Sequence, residues 1–78
     1  MERAMFLEKL EGLRRAGDRE AAILFRDSEV RFTPVNSIQG VDDVSFSYTE
    51  SQSTVAYPEY HDVADILPYF SSQPSRER

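Results

Sequence analysis

Phe6, Leu10 and Leu13 recur at intervals of four and three residues, with Met5 and Leu7 widening the stripe. This spacing predicts an amphipathic helix over about residues 3–16. Gly17 stands where a left-handed C-terminal cap belongs, and Arg14 and Arg15 suit the negative end of the helix dipole. Gly12, inside the helix, costs about 1 kcal/mol relative to alanine and points to close approach of a sheet. The run AAILFR then suits a strand buried on both faces. After the turn signal DSE, the segment EVRFTPV alternates, with Val30 and Phe32 on one face and Arg31 and Thr33 on the other. Pro34 has no N–H for a ladder, so that strand ends there or lies at an edge.

NSIQG predicts a loop anchored by Ile38, with Gly40 at a turn. VSFSYTES carries the strongest alternation in the chain: Val44, Phe46 and Tyr48 face a core, and Ser45, Ser47 and Thr49 face away. TVAY supplies a return strand with Val55 and Tyr57 on one face, which makes a second hairpin of residues 43–49 with 54–57. Pro58 opens PEYHDVADIL, where Tyr60, Val63 and Leu67 form a stripe with Ile66 beside it. That pattern predicts a short C-terminal helix over 58–67, stopped by Pro68, the alternative being an irregular segment with Ile66, Leu67, Tyr69 and Phe70 packing as anchors. The expected fold is α+β: an N-terminal helix across a small antiparallel sheet of about four strands in two hairpins. Arg31, Thr33, Ser45 and Ser47 should form its wet face. Residues 1–70 are expected to be one domain, and 71–78, SSQPSRER, a disordered polar tail.

Charge changes the picture more than length does. Residues 1–26 hold six basic side chains against five acidic ones, +1. Residues 27–70 hold one basic side chain, Arg31, against eight acidic ones, −7. The last eight residues add Arg76 and Arg78 against Glu77, +1, for a net −5 over the 78 residues. An acidic chain of this kind repels nucleic-acid backbone and is attracted to basic protein surfaces; the alternative is that its charge serves only solubility. There is no cysteine, hence no disulfide, thiolate ligand or thiol nucleophile, and a cytoplasmic protein is expected. No apolar run approaches a membrane span.

Candidate chemistry is sparse. Asp42 and Asp43 are neighbours, but in an extended strand they point to opposite faces, whereas two catalytic carboxylates must converge on one bond. On a helix, His61 and Asp65 would share a face, yet a closed structural metal site takes four ligands. The serines sit in no G-x-S-x-G elbow, and Gly12, Gly17 and Gly40 form no phosphate loop. No catalytic, cofactor or metal residue is therefore expected. Phe46, Tyr48 and Tyr57 lack the basic companions of a single-strand nucleic-acid platform. Tyr60, Tyr69 and Phe70, beside acids, either have the composition of a protein-binding patch or cover the open end of a small core.

The succession FLEKLEGL, AGDREA, AILF and then an acidic meander resembles, over roughly residues 4–57, small acidic proteins of phages and mobile elements, anti-CRISPR inhibitors among them. The resemblance implies a phage-type inhibitor that occludes the basic nucleic-acid-binding surface of a host protein. The expected function is thus a non-enzymatic protein-binding module. Its contact residues would be Asp42, Asp43, Glu50, Glu59, Asp62 and Asp65, with Tyr60, Tyr69 and Phe70. The alternatives are a self-associating accessory protein, for instance a homodimer, and a small enzyme or metal protein using His61.

Overall fold

The computed structural model describes residues 1–69 of the chain. Phe70 and the expected tail at 71–78 lie outside the described residues. The architecture is α+β. Helix α1 (Arg3–Arg15) leads into strands β1 (Glu20–Phe25), β2 (Val30–Pro34), β3 (Gln39–Gly40), β4 (Phe46–Ser51), β5 (Thr54–Ala56) and β6 (Val63–Pro68). Short 3₁₀ turns at Val35–Ser37 and Tyr60–Asp62 precede β3 and β6. The single four-stranded sheet of the sequence reading is replaced by two antiparallel three-stranded sheets, ordered β2-β1-β6 and β3-β4-β5.

The helix ends as its sequence prescribes. Gly17 has φ +80°, its N–H donates to Arg14 O at 3.1 Å, and the Asp18 N–H donates to Leu13 O at 3.0 Å. This is a Schellman closure, which satisfies two of the orphan carbonyls of the last turn. Phe6, Leu10 and Leu13 are buried, as the stripe requires. Gly12 does not abut a sheet: apart from its chain neighbours and the backbone of its own helix, no described atom lies within 4 Å of where its Cβ would be.

The core is an aromatic cluster joining three parts of the chain. Phe6 of α1 lies 4.5 Å from Phe46 of β4 and 5.3 Å from Tyr60, ring centre to ring centre. Ile23, Val35, Ile38, Val63 and Ile66 complete it. The Met1 amine donates to Tyr60 O at 3.1 Å and Val63 O at 2.7 Å, fastening the chain start to the turn before β6.

Four sequence expectations are corrected, each for a local reason. The helix over 58–67 is instead a 3₁₀ turn and strand β6 antiparallel to β1. Leu24 pairs with Asp65 and Phe25 with Val63, leaving Ala64 as an extra residue. That bulge puts Val63 and Ile66, three apart, on the same inner face, a spacing that imitates a helix. In β2 the faces are exchanged: Thr33 is buried and Phe32 is 55 % exposed. Thr33 pairs with Ala21, and at this pair of small residues the two sheets approach closely enough for Thr33 Oγ1 to donate to Thr49 O at 3.1 Å. Ser37 Oγ stands 2.8 Å from Thr33 Oγ1 and also accepts the Thr49 N–H at 3.3 Å.

Val44 is exposed, because β4 begins only at Phe46. Asp42 Oδ1 accepts the N–H groups of Val44 and Ser45 at 2.9 and 2.8 Å and bends the chain there. Val55 and Tyr57 are likewise exposed. The register slips between Thr49 and Ser51, and Ala56, opposite Tyr48, takes the inner face instead.

Candidate functional site

The segment from Pro58 to Asp62 forms a ridge between two surface concavities. Three backbone bonds tie it to two other parts of the chain, the entrance to β4 and the residue after β1. Phe46 N–H donates to Pro58 O at 3.0 Å, Tyr60 N–H to Val44 O at 2.9 Å, and Arg26 N–H to Asp62 O at 2.9 Å. Tyr60 drives its ring into the core beneath the ridge, so the ridge cannot tilt without disturbing Phe6 and Phe46.

The first concavity, about 440 Å³, lies between the β1–β2 turn and the end of β4. Its less exposed lining is Phe25, Arg31, Tyr48 and Pro58, and its exposed margin is Asp27, Glu29, Glu50 and Asp62, with Arg26. Glu50 is the extra residue of the β4 bulge, a device that re-aims a side chain. Arg31 is bonded to Glu29 at 2.9 Å. Burial holds the Tyr48 phenol above its ordinary range, helped by Glu50 and opposed by Arg31.

The second concavity, about 680 Å³, lies on the other flank of the ridge against the start of α1. Met1, Met5 and Val44 give it an apolar wall. Glu2, Asp43 and Glu59 are its carboxylates, against Arg3, Arg26 and the Met1 amine.

Four of the six acids expected from the sequence therefore meet around the ridge: Asp43, Glu50, Glu59 and Asp62. The other two are engaged locally. Asp42 also accepts the Ser45 hydroxyl at 2.9 Å, and the Val44 N–H, the Ser45 hydroxyl and the Ser45 N–H hold its carboxyl below the usual range. Asp65 pairs with Lys9 at 3.2 Å, fastening β6 to α1, and accepts its neighbour's N–H at 2.7 Å. Tyr60 is not a surface residue; it is 3 % exposed and belongs to the core. Tyr69 lies away from the ridge, stacked on Phe32 at 4.3 Å. Asp27 and Glu29 join the site through a turn that sequence reading treated only as a connection.

His61 does not pair with Asp65. Its Nε2 lies 3.3 Å from Asp62 Oδ1, and donor atoms of Glu59, His61 and Asp62 lie within 4.8 Å of one another. All three are exposed, so the set offers one nitrogen and two carboxylates open to water, one ligand short of a closed tetrahedral site.

The chain matches no family model, no curated protein and no solved structure. Among the described residues no helix is long and apolar enough to cross a membrane.

Proposed function

We propose that this protein is a non-enzymatic binding module whose acidic ridge docks on a basic protein surface. The observation that carries this is convergence. Asp27 and Glu29, Asp43, Glu50, and Glu59 and Asp62 come from four separate segments and gather around Pro58 to Asp62. Backbone bonds fix the ridge before any partner arrives, so little ordering cost falls on binding. In its sharpest form, carboxylates occupy positions that phosphates would fill, and the partner is a nucleic-acid-binding protein blocked by occlusion.

The test is titration of a labelled (Lys-Gly)₆ peptide by the full chain at low and high salt. Binding should weaken steeply with salt, since the Debye length shrinks to about 3 Å at 1 M. Reversal of Asp43, Glu50, Glu59 and Asp62 to lysine should abolish it. Reversal of Glu8, Glu11, Asp18 and Glu20, which changes net charge equally, should leave most of it. Equal losses from the two sets would show that net charge alone acts, and would overturn the proposal.

A second reading, self-association, is favoured by one observation. Val30, Phe32 and Leu67 share the outer face of the β2-β1-β6 sheet, 38 %, 55 % and 42 % exposed, with Tyr69 stacked beside them. Sedimentation at rising concentration tests it: a dimer dispersed by Phe32→Ser supports it, and a monomer throughout removes it.

A further inference from the structure

We infer that the concavity lined by Phe25, Tyr48 and Pro58 is an anchor site for one lysine or arginine side chain of the partner. The inference rests on the acidic-ridge proposal and names the group that the ridge would grip.

Charge distinguishes the two flanks of the ridge. In the second concavity, three carboxylates face two guanidiniums and the Met1 amine, so the charges cancel. In the first, four carboxylates face Arg31 and Arg26, the latter shared with the second concavity, leaving a deficit of at least two positive charges. Arg31 is moreover already engaged by Glu29. Asp62 and Glu50 approach from opposite elements, the ridge and the β4 bulge; among the described residues Glu50 pairs with no basic side chain, and Asp62 has only the exposed His61, Nε2 at 3.3 Å.

The lining suits a long basic side chain. Such chains lay their methylene stems on apolar surface and keep the charged head at its margin. Phe25, Tyr48 and Pro58 supply the surface, and the carboxylates stand at the margin. The volume of about 440 Å³ falls in the lower part of the range of roughly 300–1,000 Å³ for small-ligand sites. Tyr48, only 3 % exposed, is held by packing against Phe46, so the lining is rigid.

The experiment is a backbone amide NMR titration of the full chain with Ac-Gly-Ala-Arg-Ala-Gly-NH₂ and with its citrulline counterpart, which keeps the shape and loses the charge. The arginine peptide should give saturable shifts at Phe25, Arg26, Tyr48, Glu50 and Asp62, and the citrulline peptide none. Glu50→Gln with Asp62→Asn should weaken binding by about fivefold or more, the loss of roughly one charge-assisted contact. Glu8→Gln with Glu20→Gln, which change the charge equally away from the ridge, should stay within about twofold of the parent. Equal losses in the two pairs would overturn both proposals. Shifts centred on Asp43 and Val44 would overturn the anchor site while leaving the ridge proposal standing. So would binding of (Lys-Gly)₆ without any response to the single arginine. Failure of both peptides to bind would overturn the ridge proposal itself.

Discussion

The Tyr60 hydroxyl stands 3.0 Å from the position that a Cβ on Gly40 would occupy. The same hydroxyl is buried and has no hydrogen-bond partner among the described residues. A buried, unpartnered polar group costs about 1–3 kcal/mol of desolvation. Tyr60→Phe is therefore expected to raise stability, by about 1 kcal/mol in denaturant unfolding. Gly40→Ala should cost about 1 kcal/mol, because the ring, packed against Phe6 and Phe46, must shift to admit the methyl. In the Tyr60→Phe background that cost should shrink by half or more. Full additivity would show that the two groups do not meet.

Burial also raises the Tyr60 phenol above its ordinary pKa, with the nearby Arg3 guanidinium drawing it partly back. A raised folded-state value means the contribution is complete below the unfolded pKa of about 10 and is lost as pH climbs through the folded one. Alkaline unfolding followed by tyrosinate absorbance should start at higher pH in Tyr60→Phe than in the parent.

Asp42 predicts the opposite end of the pH scale. Its carboxyl is lowered, so its contribution is present above the ordinary carboxylate pKa of 3.8 and fades as pH falls through the lower folded value. Melting temperatures between pH 2 and 7 should show a smaller acid-side fall in Asp42→Asn than in the parent. Asp42→Ala should destabilise at neutral pH as well, since it leaves the Val44 and Ser45 N–H groups without their acceptor.

Ser28 carries φ +75° at the β1–β2 turn, where the Ser28 N–H donates to Phe25 O at 2.9 Å. Glycine adopts this conformation without the Cβ penalty of about 1 kcal/mol. Ser28→Gly should stabilise by about 0.5–1 kcal/mol in thermal or denaturant melts. Because this turn carries Asp27 and Glu29, the same variant should leave (Lys-Gly)₆ binding unchanged.

Thr33→Val keeps the shape and removes the hydroxyl that joins the two sheets. It strips Thr49 O of a donor and Ser37 Oγ of a neighbour. Loss of about 1–2 kcal/mol is expected in denaturant unfolding, more than for an exposed threonine such as Thr54.

How much of this was legible follows from where the pattern is regular. The Phe6–Leu10–Leu13 stripe and Gly17 define α1 almost to the residue, since side-chain period and cap chemistry agree. Phe46 and Tyr48 alternate in an unbroken part of β4 and both reach the core. Prediction failed where one residue breaks the period. Ala64 is extra in β6 and Glu50 in β4, and one inserted residue reverses every face beyond it. Thr33 lies inside because a second sheet offers it a carbonyl, a partner no local window contains. The site was legible as a charge total but not as a place. Sequence could sum the acids of residues 27–70; it could not separate Asp42 and Asp65, spent on a turn and on Lys9, from those left facing solvent.

The ridge from Pro58 to Asp62 is closed by pairings between residues far apart in the chain, the longest running from Met1 to Tyr60 across 59 positions. Such contacts form only after distant segments have come together, and loop-closure entropy opposes them until then. Both concavities are lined by segments far apart in the chain, so they require those segments to have met. A ligand seated beside the ridge would therefore bind the native state alone and raise the global unfolding free energy by mass action. Slowed amide exchange at Tyr60, buried and central to these pairings, would register occupancy without any label on the ligand.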